Sequence, residues 1–318
     1  KEYFNQPGDT TMFNRVVGFD YNLASKNNFW DGKFFYHRSF QPEALDKQYS
    51  QGATLSYRTK HIQAKFLQSS VGENYKAEAG YVRRTGYNFL SPEITYLFVP
   101  NKRVVSHGIT FKNENYFNKD YRKIEHENTI SYNVGFQDRS VLEFGYRNMF
   151  VELQNDFDPT RMGNSYLQKG SSYNFGAAFV SYLSTRKTMF NWQFEAAKGG
   201  FYNGNIQYIQ GELGYRFQPF VNLTMNFNYT DIDLPNPFER AKFLLVGPKM
   251  DVTFTDKLFW TTFVQYNEQM DNMNINMRLQ WRYQPVSDIY LVYTDNYIPG
   301  SWNSRNRALV LKMTYWLN

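Results

Sequence analysis

The feature that most constrains this chain is a two-residue period. Between Met273 and Tyr283, ahead of an expected turn at Gln284–Pro285, the side chains sort by parity. Met273, Ile275, Met277, Leu279, Trp281 and Tyr283 form one set, and Asn274, Asn276, Arg278, Gln280, Arg282 and Gln284 form the other. Successive side chains of a strand point to opposite faces, so the segment predicts a long β-strand with one apolar and one polar face. An amphipathic helix would place apolar residues at three- and four-residue spacings and would not separate the types by odd and even.

The same alternation recurs along the chain. Lys123–Phe136, Val141–Leu153, Ser172–Leu183, Thr188–Lys198, Ile206–Gln218, Val221–Thr230, Phe243–Phe254, Leu258–Glu268, Ile289–Asn296 and Ala308–Leu317 are expected strands. Asn14–Leu23, Trp30–Phe40, Gln51–Arg58 and His61–Ser70 precede them, and Tyr75–Val82 and Glu93–Val99 are read as strands in the less regular region Val71–Phe117. Short turns such as Ser25–Asn28 and Ser184–Lys187 alternate with longer polar loops, of which 154–170 is the longest. The expected fold is all-β, a transmembrane antiparallel up-and-down β-barrel of about 18 strands, in one domain over residues 1–318.

Alternation alone leaves open which face is covered. A closed sheet of roughly eight strands can fill itself with side chains, whereas one of 16–18 leaves an aqueous lumen that suits an Asn, Gln, Arg and Glu face. The apolar face then looks outward, and only lipid tolerates a continuous apolar outer band. Composition agrees: 26 Tyr, 29 Phe and 6 Trp coexist with a mean hydropathy of −0.62, as alternation requires. No apolar run reaches the roughly 18 residues of a spanning helix. Trp30, Trp192, Trp260 and Trp281 lie near short turns and share the apolar parity, so they read as one aromatic girdle on the short-turn, periplasmic rim. Trp316 falls on the other parity. A soluble aromatic-rich β protein is the competing reading, and it predicts recovery from water without detergent.

The absence of cysteine excludes disulfides and thiolate sites. The net charge of +6 is spread over residues that alternate with apolar ones, which describes a solvated face and not a nucleic-acid surface. Lys1-Glu2-Tyr3-Phe4 has no basic region leading into an apolar core, so no signal peptide is expected in this stretch.

Three segments carry a family resemblance: DYNLASKNNFWDGKFFYHRSF (Asp20–Phe40), AEAGYVRRTGYNFLSPEITY (Ala77–Tyr96) and NMRLQWRYQPVSDIYLVYTDNY (Asn276–Tyr297). They resemble the C-terminal barrel region of a family of large Bacteroidota outer-membrane proteins that join a family-9-like carbohydrate-binding module to a barrel domain of unknown function. The resemblance implies a Gram-negative outer-membrane location, further strands before Lys1 and no catalytic assignment. The sugar-binding part is outside this chain, so sugar binding is not carried over. One count conflicts: Ser25–Asn28 as a periplasmic turn makes the first strand run inward, whereas counting back from the last strand makes it run outward. Either a segment between Val71 and Phe117 is miscounted, or the first strand pairs with upstream chain.

Candidate chemistry is sparse. The four histidines have no metal-ligand spacing, and no nucleophile elbow, Walker loop or dinucleotide fingerprint occurs. Ser106-His107 are adjacent, so as strand neighbours they point to opposite faces, against a dyad. No enzyme activity and no cofactor is expected, with an outer-membrane hydrolase as the alternative. Asp156 and Asp158 are weak candidates for a Ca²⁺ site in the longest loop. Arg147, Glu143, Glu125, Glu127, Glu212, Arg216, Arg278 and Arg282 fall on the polar face, as a mutually neutralising network or as a charged constriction. The function expected is a pore or transporter, or a component of a larger envelope complex. Its expected partners are outer-membrane lipid, lipopolysaccharide and other outer-membrane or periplasmic proteins.

Overall fold

The computed structural model describes residues 2–3, 12–43, 45–100, 102–163, 165–301 and 303–317. Two short strands, β1 (Glu2–Tyr3) and β2 (Met12–Phe13), pair with each other. The long strands follow as β3 (Arg15–Ala24), β4 (Trp30–Phe40), β5 (Tyr49–Arg58), β6 (Ile62–Val71), β7 (Tyr87–Phe98), β8 (Val104–Asn118) and β9 (Lys123–Phe136). After them come β10 (Val141–Glu152), β11 (Ser172–Leu183), β12 (Phe190–Phe201), β13 (Gly204–Phe217), β14 (Val221–Asp233) and β15 (Ala241–Thr253). The chain ends in β16 (Leu258–Asn267), β17 (Asn272–Gln284), β18 (Ser287–Tyr297) and β19 (Ser304–Met313). These seventeen strands follow one another up and down in chain order, and the order closes as a barrel.

By contacts the chain divides into two compact units. One comprises Lys1–Val134, Phe144–Pro159 and Tyr166–Gly176; the other comprises Gly135–Glu143, Thr160–Ser165 and Ala177–Asn318. In the first, β3 to β8 form a continuous antiparallel meander. In the second, β11 to β19 do the same.

Register follows parity, as packing on a two-faced sheet demands. Met277 stands opposite Thr262 and Tyr293, and Asn276 opposite Phe263 and Thr294. The polar parity is stitched across strands: Asn274 Nδ2 donates to Asn296 Oδ1 at 2.6 Å, and Asn276 Nδ2 to Thr294 Oγ1 at 3.0 Å. The apolar parity is not pooled into a core. Val17, Phe19, Ile94, Phe111, Ile209, Tyr215, Leu309 and Leu311 are all exposed, Leu311 at 72%. Exposed apolar side chains on this scale mark a surface that meets something other than water.

Two prolines stand inside strands. Pro92 sits where the β7–β8 ladder skips from Leu90–Asn115 to Glu93–Lys112, and Pro248 where the β15–β16 ladder skips from Val246–Tyr266 to Lys249–Phe263. Proline has no N–H to give to a ladder, so each interruption falls where a donor is missing.

One expected strand is absent. Tyr75–Val82 belongs to a loop, 72–86, and the strand that follows begins at Tyr87 and not at Glu93. The segment alternates only with small residues, Ala77 and Ala79, and its backbone groups bond to side chains in place of a ladder. A second difference accompanies it: β8 (Val104–Asn118) falls largely in the less regular region, where no strand was placed, so the described residues form seventeen long strands where the sequence suggested about 18. An odd number removes the conflicting count, because the first strand then runs toward the short-turn rim from either end of the chain.

Candidate functional site on the polar face

In the first unit, the polar face of β4 carries Asp31, Lys33, Phe35, His37 and Ser39. Loop 72–86 is fastened to this side. Ser39 Oγ, fully buried, accepts from Lys76 N at 3.2 Å. Asn14 holds both sides of the same turn, donating to Lys76 O at 2.9 Å and accepting from Glu78 N at 3.1 Å. Gln41 donates to Asn74 O at 3.0 Å, and Asn74 Nδ2 to Asp46 O at 2.8 Å. Glycines bracket the loop for different reasons. A Cβ on Gly72 would run into the Lys47 carbonyl, and Gly86 adopts a φ of +70°.

The far end of the loop brings a cation onto the sheet. Arg84 Nη1 donates to Glu125 Oε1 at 2.9 Å, and its guanidinium lies 5.4 Å from the Tyr116 ring centre and 5.9 Å from that of Tyr87. Between loop and sheet lies a cavity of about 580 Å³ lined by Phe35, His37, Tyr75, Arg84, Tyr116 and Glu125 among others. Burial pushes the Tyr75 phenol up from its ordinary pKa.

In the second unit, register builds a carboxylate- and amide-rich patch. Gln193 faces Glu212, which faces Asn226; Glu195 faces Gln210, which faces Asn228. With Glu143 they line a cavity of about 630 Å³. Tyr208 donates its hydroxyl to Glu195. No ion pair engages Glu143 or Glu212 among the described residues.

The eight expected polar-face charges are therefore not one cluster. Arg147 and Glu127 form a loose pair at 3.9 Å, and Glu125 is taken by Arg84. Arg282 pairs with Asp288 at 3.4 Å and stacks 5.7 Å from Phe259. Arg216 serves the backbone, donating to the carbonyls of Arg186 and Thr188 in a short turn. Glu143 and Glu212 line the second cavity, and Arg278 is exposed. Sequence reasoning missed Arg84. The signal was the basic pair Arg83-Arg84 beside Gly86 and Tyr87, directly after the segment expected as a strand.

The four expected girdle tryptophans lie near strand ends beside short turns. Trp30 opens β4 and packs 4.7 Å from Tyr57, Trp192 lies 4.5 Å from Tyr182, and Trp260 Nε1 donates to Thr262 Oγ1 at 2.6 Å. Trp281 is half exposed. In the longest loop Asp156 accepts from Lys169 N at 2.8 Å, a backbone tie that closes the loop on itself. Asp158 is buried, and among the described residues no three His, Cys, Asp or Glu side chains are grouped to hold a metal. Ser106 and His107 lie in β8, where the His107 ring bonds to the Tyr132 hydroxyl and stacks 5.1 Å from Phe98.

Comparison with protein-family models finds no match, and neither does comparison with curated proteins. Solved structures do match. The ferric enterobactin receptor PfeA in complex with BCV-L6 superposes with a TM-score of 0.50 at 7% identity, covering 98% of this chain and 71% of the receptor. A PfeA mutant (R480A_Q482A) from Pseudomonas aeruginosa gives a TM-score of 0.45 at 8% identity, covering 93% and 66%. The chain thus has seventeen antiparallel up-and-down strands in a fold similar to an outer-membrane receptor barrel.

Proposed function

We propose that the chain is a pore or transporter of a Gram-negative outer membrane, with its polar face lining a water-filled path and its apolar face against lipid. The observation that carries this reading is the exposed apolar parity, which water would not tolerate and a bilayer would. Loop 72–86 then constitutes the constriction: the Arg84–Glu125 ion pair is held over the polar face against Tyr87 and Tyr116, where it narrows the path. The three segments Asp20–Phe40, Ala77–Tyr96 and Asn276–Tyr297 support placing the chain in the Bacteroidota barrel family named above. A hydrolase role forms no part of this reading, because Ser106 and His107 are adjacent strand residues and the His107 ring is engaged by Tyr132.

Planar-bilayer recording tests the pore. The wild-type chain is expected to conduct, and Arg84→Ala to conduct more and with greater preference for cations, because Glu125 is then left uncompensated. A complete lack of conductance in both would replace the pore by the second role, a structural component of an envelope complex. Recovery of the chain from water without detergent would sink the membrane reading altogether.

A further inference from the structure

On the apolar face of the second unit, one lateral row changes character. Lys198 stands opposite Gln207, Gln207 opposite Asp231, and Asp231 opposite Lys242, across β12, β13, β14 and β15. On each strand the apolar parity stops at this row. It runs from Phe190 to Ala196, from Ile209 to Phe217, from Val221 to Tyr229 and from Leu244 to Val252. The last three runs match the roughly 9–11 residues a tilted strand needs to cross a bilayer, so the row lies at one lipid–water boundary. It is the boundary on the side of the loop 234–240 that joins β14 to β15.

The charges in the row are not equivalent. Asp231, 4% exposed, is gripped by Arg240 through Nε at 2.8 Å and Nη2 at 2.6 Å, so this pair is locally neutral. Lys198 and Lys242 are exposed, and neither is in an ion pair among the described residues. Two further carboxylates, Asp233 and Glu239, lie beyond the row toward and within the loop. At the level of the row itself two cations are left over.

Ala178 on β11 continues the row, opposite Lys198, and the next row toward the short turns is Val180, Ala196, Ile209 and Tyr229; between them these residues line a groove of about 580 Å³ that has Lys198 in its wall. The space exists because Ala178 and Ala196 hold positions that neighbouring strands fill with longer side chains. An open apolar groove with a cation in its wall complements a molecule with a hydrocarbon tail and an anionic head.

We propose that this groove seats one acyl chain of a phospholipid of net negative charge in the outer leaflet, with Lys198 and Lys242 bracketing its headgroup. The proposal rests on the membrane reading above. Three strand spacings of about 4.8 Å put the two backbones about 14 Å apart, a gap that two flexible ammonium arms close around one phosphorylated headgroup. Each lysine near an anionic lipid surface strengthens binding about fivefold, so the two together contribute about thirtyfold.

Native mass spectrometry of the full chain, released from micelles holding equal phosphatidylglycerol and phosphatidylcholine, tests this. The wild type is expected to retain phosphatidylglycerol preferentially. Lys198→Ala with Lys242→Ala is expected to lower that retention about thirtyfold and leave phosphatidylcholine unchanged. Ala196→Trp, which fills the groove, is expected to lower retention of both lipids. Unchanged phosphatidylglycerol retention in the double lysine variant overturns the proposal. So does displacement of lipid by inorganic phosphate together with normal retention in Ala196→Trp, since the groove would then play no part. The lysine variant alters only exposed side chains, so it decides the matter even where Ala196→Trp fails to fold. A chain that stays in water without detergent would instead refute the membrane reading, which separates the two failures.

Discussion

Facing and depth can be tested together on β17. Trp281 lies three residues from the short-turn end of this strand, at the expected boundary. Each residue advances about 3.3 Å along a strand, or about 2.5 Å along the membrane normal at a tilt near 40°. Met277 is then about 10 Å inside the girdle, close to the midplane of a band about 25 Å tall, and Leu279 only about 5 Å inside. Both are on the apolar parity: Met277 stands between Thr262 and Tyr293, and Leu279 between Trp260 and Leu291. Met277→Arg is expected to cost about 2–4 kcal/mol, and Leu279→Arg about 1–2 kcal/mol because the guanidinium can reach the interface. Gln280 is on the polar parity and donates to Asp288 at 2.9 Å. An arginine there meets the same carboxylate, so Gln280→Arg should change stability by less than about 0.5 kcal/mol. Reversible denaturant unfolding in lipid vesicles, followed by tryptophan fluorescence, measures all three. Equal costs at Met277 and Gln280 would show that the faces are assigned the wrong way round. A larger cost at Leu279 than at Met277 would refute the depth assignment while leaving the faces intact.

Three further outcomes are expected. Glu125→Gln weakens the hold on Arg84 and should raise conductance in the same direction as Arg84→Ala; opposite effects would remove loop 72–86 from the conduction path. Gly72→Val forces a side chain into the Lys47 carbonyl and should cost about 1–3 kcal/mol, with earlier proteolysis within 72–86. In the turn after β9, the side chain and then the backbone of Ser140 hydrogen-bond Asp138 and hold its carboxyl below its ordinary value of 3.8. A depressed carboxylate stabilises the fold above its unfolded pKa, and that stabilisation is lost as pH falls through the lower, folded value. Ser140→Ala should therefore weaken the protein at neutral pH and match the wild type in strong acid; a deficit that persists in acid would contradict this linkage.

Parity was legible because side-chain direction in a strand depends on nothing but position. The expected spans of β9 and β11 coincide with the structure, and those of β14 and β17 differ from it only at their ends. The same rule misled at Tyr75–Val82, where alternate small residues imitate a weak strand. What separates a strand from a loop there is the partner of each backbone group, and those partners are distant. Asn14 reaches Lys76 and Glu78 across 62 and 64 positions of chain.

The candidate site divides along the same line. From the sequence alone it follows that the chain is all-β, that one face is polar and the other apolar, and which residues occupy each. This holds because alternation is a local property, independent of what packs where. Only the tertiary structure decided that seventeen strands close their order, that Arg84 and not Arg147 takes Glu125, that Arg216 serves a turn, and that Glu143, Glu195 and Glu212 share one cavity. Those pairings depend on register and on loop closure, which set distances between residues far apart in the chain, and no local pattern encodes a distance.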